Sequence, residues 1–156
     1  MQGKGRAVCV GADIDTDLVI AGRYLRTKDH LIWVDHIFED LDPSLARRMN
    51  GTVIIAGKNF GCGSSREQAA IAIRESGVIA VAAPSFARIF FRNAINVGLP
   101  LIECYLPCIE GAVVMFDLAE GWVETQGKKY PVKPLSPRMQ EILTAGGLVN
   151  YVRARR

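Results

Sequence analysis

No stretch of this sequence is apolar for long enough to span a bilayer. The longest apolar runs, such as Val78 to Pro84, fall far short of the roughly 20 residues a membrane helix needs. The opening residues, Met1-Gln2-Gly3-Lys4-Gly5-Arg6, hold no apolar leader core, so the expected location is cytoplasmic. Histidine is scarce: His30 and His36 are the only two. Four cysteines are present, Cys9, Cys62, Cys104 and Cys108, and only the last two stand close together. That is too thin a set for a complete metal site in this chain. A disulfide framework is not expected in a chain with this much core, and the cysteines read as reduced thiols in or near it. The net charge is only +3, which does not call for nucleic acid. The basic end Arg153-Ala154-Arg155-Arg156 reads as a solvated terminus. No internal repeat, low-complexity segment or linker divides the 156 residues, so residues 1–156 are expected to form a single domain.

What the chain does have is concentrated in Gly57-Lys58-Asn59-Phe60-Gly61-Cys62-Gly63-Ser64-Ser65-Arg66-Glu67. The apolar run Thr52 to Ala56 precedes it and the apolar-periodic run Gln68 to Arg74 follows, which reads as strand, glycine-rich turn and helix. The glycines permit sharp turns and close approach of a ligand. A helix read from Ser65 to Ser76 puts Ser64 and Ser65 at its N-terminus, where free N–H groups and the dipole favour an anion. Arg66 adds a forked cation suited to carboxylate or phosphate. Ser64 and Glu67 also match a capping box. That pattern leaves the three glycines unexplained, as it does an arginine in the first turn, where a cation opposes the dipole.

Known loop chemistries narrow the reading. A nucleotide P-loop needs its lysine next to the Ser/Thr, and Lys58 comes too early. A dinucleotide fingerprint needs a third glycine where Arg66 stands. A nucleophile elbow, G-x-S-x-G, is absent. What remains is a carboxylate-binding loop whose serine does proton chemistry.

Around this centre the pattern is α/β. Arg6 to Val10 reads as a first strand, followed by the acidic turn Asp13-Ile14-Asp15-Thr16-Asp17. That turn is open to two readings, a self-bonded polar turn or a functional site. Arg23 to Asp29 is a cationic loop with one aromatic, and His30 to Leu41 reads as a helix. Asp42 is a candidate cap for a short helix from Ser44 to Met49. Strands at Thr52–Ala56, Val78–Ala82 and Leu99–Glu103 alternate with helices at Ser65–Ser76 and Phe86–Asn96, the latter capped by Ser85. The result is a central β-α-β-α-β unit. Small C-terminal strands near Val113–Asp117, Trp122–Gln126 and Lys129–Lys133, then a helix at Met139–Thr144 and a final short element at Leu148–Val152, complete the chain.

Three segments together resemble the aconitase family: Asn59 to Glu67, Ser85-Phe86-Ala87-Arg88-Ile89-Phe90-Phe91-Arg92-Asn93 with Asn96 to Leu99, and the turn Asp15-Thr16-Asp17. The chain resembles that family's swivel domain over about residues 5 to 155. Within the family it looks like the separate small subunits of isopropylmalate isomerase and of methanogen-type homoaconitase. The resemblance implies a swivelling β/β/α fold and hydro-lyase chemistry, in which dehydration to an alkene diacid is followed by rehydration on the neighbouring carbon. It implies a large subunit, in a heterodimer or heterotetramer, carrying a [4Fe-4S] cluster that acts as Lewis acid, with no cofactor on this chain. It further implies that Ser64 is the base and that Asp17 orients catalytic groups. Arg66 would pair with a substrate carboxylate, and Ser65 would contact substrate or backbone. Cys62 receives no role.

The loop Tyr24-Leu25-Arg26-Thr27 resembles the family's specificity loop, whose third position meets the variable arm of the substrate. Arginine there suits a carboxylate arm, as in homoaconitate, over an isopropyl arm. Two alternatives stand beside that expectation. One is isopropylmalate dehydration proper, in leucine biosynthesis. The other, of a different class, is a non-catalytic module that uses the loop to hold or sense an anion.

Overall fold

The computed structural model describes all residues from Met1 to Arg156. One seven-stranded mixed sheet organises them, in the spatial order β4-β3-β2-β1-β5-β6-β7. Strands β1 (Gln2–Cys9), β2 (Thr52–Ile55), β3 (Ala80–Ala83) and β4 (Leu101–Glu103) run parallel. Strands β5 (Val113–Asp117), β6 (Trp122–Thr125) and β7 (Lys128–Pro131) extend the sheet as an antiparallel meander from the far side of β1. Strand β1 starts at Gln2, earlier than its apolar residues suggest, because its polar first half pairs with β5.

The central parallel strands β2 and β3 are buried on both faces, as continuous apolar sequence requires. Alternate side chains divide between two cores. Val8, Ile54 and Val81 face one way, with α1 (Thr16–Val19), α2 (His30–Asp35), α3 (Glu67–Glu75) and α4 (Arg88–Val97) over them. Ala7, Val53, Ile55 and Ala82 face the other way, toward Phe116, Val123 and Ile142 of α5 (Pro137–Thr144). A last helix, α6 (Leu148–Ala154), packs on α4 and α5. The expected β-α-β-α-β unit is present as β2-α3-β3-α4-β4. No helix is long and apolar enough to cross a membrane.

Several sequence expectations give way to local geometry. The helix expected over His30–Leu41 stops at Asp35, and Phe38 takes a left-handed backbone (φ 58°) while fully buried. The expected helix at Ser44–Met49 is a 3-10 turn over Leu45–Arg48. Asp42 still accepts from the Ser44 N–H, at 2.9 Å. Ser85 does not cap α4, whose N-cap is Ala87; its hydroxyl takes the Asn59 N–H instead, at 2.9 Å.

The cysteines also differ from expectation. Cys9 and Cys108 are joined as a disulfide, with Cα atoms 5.9 Å apart. The chain separation of 99 residues conceals the pair. Cys9 ends β1, and Cys108 lies in the loop that returns to β5, the neighbour of β1, so the sheet brings them together. The Cys9 N–H also donates to Glu110 in that loop, at 2.7 Å. Cys62 and Cys104 are free.

A candidate active half-site at the carboxyl end of the parallel strands

Because β1, β2 and β3 are parallel, the loops that follow them emerge at one end of the sheet. In open α/β sheets this is the end where ligands bind. The acidic turn follows β1, the glycine loop follows β2, and Ser85 follows β3.

The glycine loop is laced to the acidic turn by backbone bonds. The Gly61 N–H donates to Ile14 O at 2.8 Å and the Thr16 N–H to Cys62 O at 2.9 Å. Its underside is held by aromatic packing. Phe60 is fully buried and meets Phe90 of α4 edge-on, with centroids 5.3 Å apart. Gly61 has φ +85°, and a Cβ there would sit 2.2 Å from Phe90 Cγ. Only glycine fits at that position.

Ser64 stands exposed at the crest of this loop. Its hydroxyl lies 3.0 Å from Thr16 Oγ1, and Thr16 Oγ1 also donates to Ser64 O at 3.0 Å. Thr16 is 1% exposed, so its hydroxyl is a fixed partner. Ser65 offers its backbone oxygen to Asn93 Nδ2 of α4, at 3.4 Å. Arg66 donates to the Asp17 carboxylate, and its guanidinium also lies against Gly22, 3.7 Å from where a Cβ would stand.

The capping box is not formed. Helix α3 starts at Glu67, two residues later than the periodicity predicts, with Arg66 as an extended N-cap that makes no side-chain cap bond. Arg66 therefore does not sit in the first turn, and the conflict with the helix dipole is relieved by geometry. Ser64 is engaged by Thr16 in place of the helix backbone.

The structure thus gathers Asp17, Ser64, Ser65 and Arg66 into one cluster, and adds Thr16 and Asn93, to which the sequence reading gave no role. The Asp15-Thr16-Asp17 pattern was the available signal for Thr16, since its central residue is the one that faces the loop. Arg26 is different. It is exposed, four residues beyond Gly22, and has no hydrogen-bond or ion-pair partner. Tyr24, its neighbour in the same loop, is fixed by Glu39 and Trp33.

Burial raises the Cys62 thiol above its ordinary range, and the nearby Asp15 and Asp13 carboxylates raise it further. A raised thiol is not a thiolate nucleophile at neutral pH. No group of three or more Cys, His, Asp or Glu side chains is placed to hold a metal ion. With Cys9 and Cys108 bonded to each other, this chain does not fit an iron-sulfur cluster as its holder.

The cluster is open to solvent, and a cleft of about 740 Å³ lies elsewhere, bordered by Lys4, Arg6, Arg48 and Glu110. A serine hydroxyl in contact with water is a poor base. The arrangement joins an exposed serine hydroxyl, its fixed hydroxyl partner and a guanidinium paired with a carboxylate.

Comparison with known proteins accords with this geometry. Residues 12–104 match the aconitase C-terminal domain. The chain is 50% identical over 155 residues to the 3-isopropylmalate dehydratase small subunit of Moorella thermoacetica, covering 96% of this chain and 93% of that protein. It is 46% identical over 151 residues to the methanogen homoaconitase small subunit of Methanothermobacter thermautotrophicus, covering 95% of this chain and 89% of that one. The crystal structure of a 3-isopropylmalate dehydratase from Methanocaldococcus jannaschii superposes with a TM-score of 0.93 at 46% identity, over 99% of this chain and 95% of that chain. The matched residues 12–104 contain the acidic turn, the glycine loop and Ser85, and the likeness to these relatives runs along nearly the whole chain; this protein belongs to the family of the aconitase C-terminal domain.

Proposed function

We propose that the chain is a single swivel domain, the small subunit of a cytoplasmic two-subunit hydro-lyase that moves a hydroxyl between neighbouring carbons of a small carboxylic acid. The observation that carries this reading is the exposed Ser64 hydroxyl beside a buried Thr16 and an Arg66–Asp17 pair. In this reading a large subunit roofs the half-site, excludes water and carries the [4Fe-4S] cluster. This chain supplies the proton chemistry and the clamp.

Arg66, held by Asp17, receives a substrate carboxylate and fixes the adjacent carbon over Ser64. Ser64 takes the proton from that carbon, the C–H electron pair becomes the double bond, and the hydroxyl on the neighbouring carbon leaves as water, a departure that a Lewis acid on the partner subunit would assist. Thr16 has one hydroxyl proton and two acceptors within reach, Ser64 O and Ser64 Oγ. While Ser64 is protonated, Thr16 donates to the carbonyl and accepts from Ser64. Once Ser64 is an alkoxide, the Thr16 proton turns to it. That donor is already within reach, so it stabilises the anion by the rotation of one O–H bond. In rehydration Ser64 returns the proton to the alkene carbon.

Thr16→Val keeps the shape and removes the donor. It is expected to lower kcat by about 10²-fold, the effect of losing one preorganised donor to an oxyanion. Thr16→Ser should stay near the parent. Steady-state kinetics of the reconstituted complexes check both.

For the substrate, the unpartnered Arg26 supports a carboxylate variable arm, as in homoaconitate. Arg26→Val is expected to cost about 1.5–3 kcal/mol on such a substrate, roughly 10–150-fold in kcat/KM, with little change on isopropylmalate. Equal effects on both would remove the argument. A second reading, isopropylmalate dehydration in leucine biosynthesis, is favoured by the names of close relatives such as the one from Moorella thermoacetica. An exposed arginine able to turn into solvent is compatible with an enzyme that takes both substrates.

A further inference from the structure

Behind the Gly22–Thr27 loop lies a cluster of polar side chains that the catalytic reading does not use. Arg23 makes a two-pronged contact with Asp40, at 3.1 and 2.7 Å, and a third contact with Glu39 at 3.1 Å. The Tyr24 hydroxyl donates to the same Glu39 carboxylate. His36 stacks on the Tyr24 ring, with centroids 4.2 Å apart, and its Nδ1 lies 3.4 Å from Glu39. Trp33 Nε1 donates to Tyr24 O at 3.0 Å. Both carboxyls are held below their ordinary range, Glu39 chiefly by Tyr24 and Asp40 chiefly by Arg23.

The backbone pays a conformational cost to aim this cluster. Phe38 is a bulky residue at φ 58°, fully buried, with its N–H bonded to Val19 O at 2.8 Å. Non-glycine residues are held in that region only where surrounding structure over-determines them. Here the left-handed step lies inside the turn over residues 36–41 and delivers Glu39 and Asp40 to the loop. The other end of the loop, Gly22, abuts the Arg66 guanidinium. The first half of the loop is thus held, Gly22 by the Arg66 guanidinium and Arg23 and Tyr24 by Glu39, and Arg26 and Thr27 lie just beyond that grip.

We propose that Glu39 is a specificity-positioning residue: through Tyr24 and Arg23 it holds the loop in the setting that presents Arg26 to the substrate's variable arm. This rests on the reading of Arg26 given above. Glu39 acts through Arg26 and does not touch substrate, so its effect must disappear when Arg26 is gone.

A double-mutant cycle on the reconstituted two-subunit enzyme tests this. Glu39→Gln, Arg26→Val and the double variant are compared with homoaconitate and with isopropylmalate. Glu39→Gln is expected to raise KM for homoaconitate about tenfold, the size of a typical coupling between contacting groups. It should leave kcat within about threefold and KM for isopropylmalate unchanged. In the Arg26→Val background it should add nothing. A Glu39→Gln effect of the same size in that background, or equal on both substrates, overturns the proposal and leaves the Arg26 reading intact. An Arg26→Val variant that leaves the balance between the substrates unchanged overturns the Arg26 reading itself, and the proposal with it. Tyr24→Phe breaks the Tyr24–Glu39 bond without changing charge. It carries the same cycle, with the same expectations, if Glu39→Gln does not fold.

Discussion

Ser64→Ala in the reconstituted enzyme is expected to lower kcat by about 10²–10⁴-fold, the range assigned to a positioned general base, with substrate affinity nearly unchanged. The site geometry explains the split. Substrate binding in this account comes from Arg66, and Arg66 is held by Asp17, not by Ser64. Removing one exposed hydroxyl leaves the loop's backbone bonds to Ile14 and Thr16 in place. The fold and the clamp therefore survive while the proton acceptor is lost. Ser64→Cys sharpens the test, because a thiol ionises more easily than an alcohol but is larger and differently placed. Partial activity with an altered pH profile would mark the residue as the base. A Ser64→Ala enzyme with full kcat would remove Ser64 from the chemistry.

Gly61→Ala is expected to carry the largest effect on stability at the site. Its φ of +85° disfavours any side chain, and the new methyl would lie 2.2 Å from Phe90 Cγ and 2.4 Å from Phe90 Cβ. Phe90 is 2% exposed and locked against Phe60, so it has no room to yield. The left-handed backbone costs about 1–2 kcal/mol for a non-glycine residue, and overpacking about 1–3 kcal/mol. Together they predict a loss of about 2–5 kcal/mol, or a fall in Tm on the order of 5–20 °C for a chain of this size. Thermal denaturation of the isolated subunit reads this directly. Gly51→Ala is the control for backbone strain alone, since Gly51 has φ +76° with nothing within 4 Å of a Cβ. An equal loss in both variants would show that the Phe90 contact contributes nothing.

The parallel β-α-β-α-β unit was legible because each strand is a short continuous apolar run and each helix ends at a glycine, Gly77 or Gly98, with positive φ. The place of the candidate loop in the fold was legible for the same reason, since a glycine-rich turn between strand and helix must lie at the strand's carboxyl end. Three features were hidden. The Ser64–Glu67 spacing suggests a capping box, but Thr16 competes for the serine, and a contact across 48 residues leaves no local pattern. The end of α2 was hidden because Phe38 keeps helical spacing while a tertiary bond to Val19 pulls its backbone out of the helix. The Cys9–Cys108 bond depends on β5 lying beside β1, a pairing between distant segments of the chain. In each case a long-range contact overrode a local preference.

The central claim is that this chain is one half of an active site, a base and clamp that need a roof from another subunit. The direct test is to titrate purified chain into a fixed amount of cluster-loaded large subunit and measure hydration of the alkene diacid. The account predicts no turnover from either component alone and a saturable rise to a plateau at a fixed subunit ratio. Turnover by this chain alone, or full turnover by the large subunit alone, would contradict it.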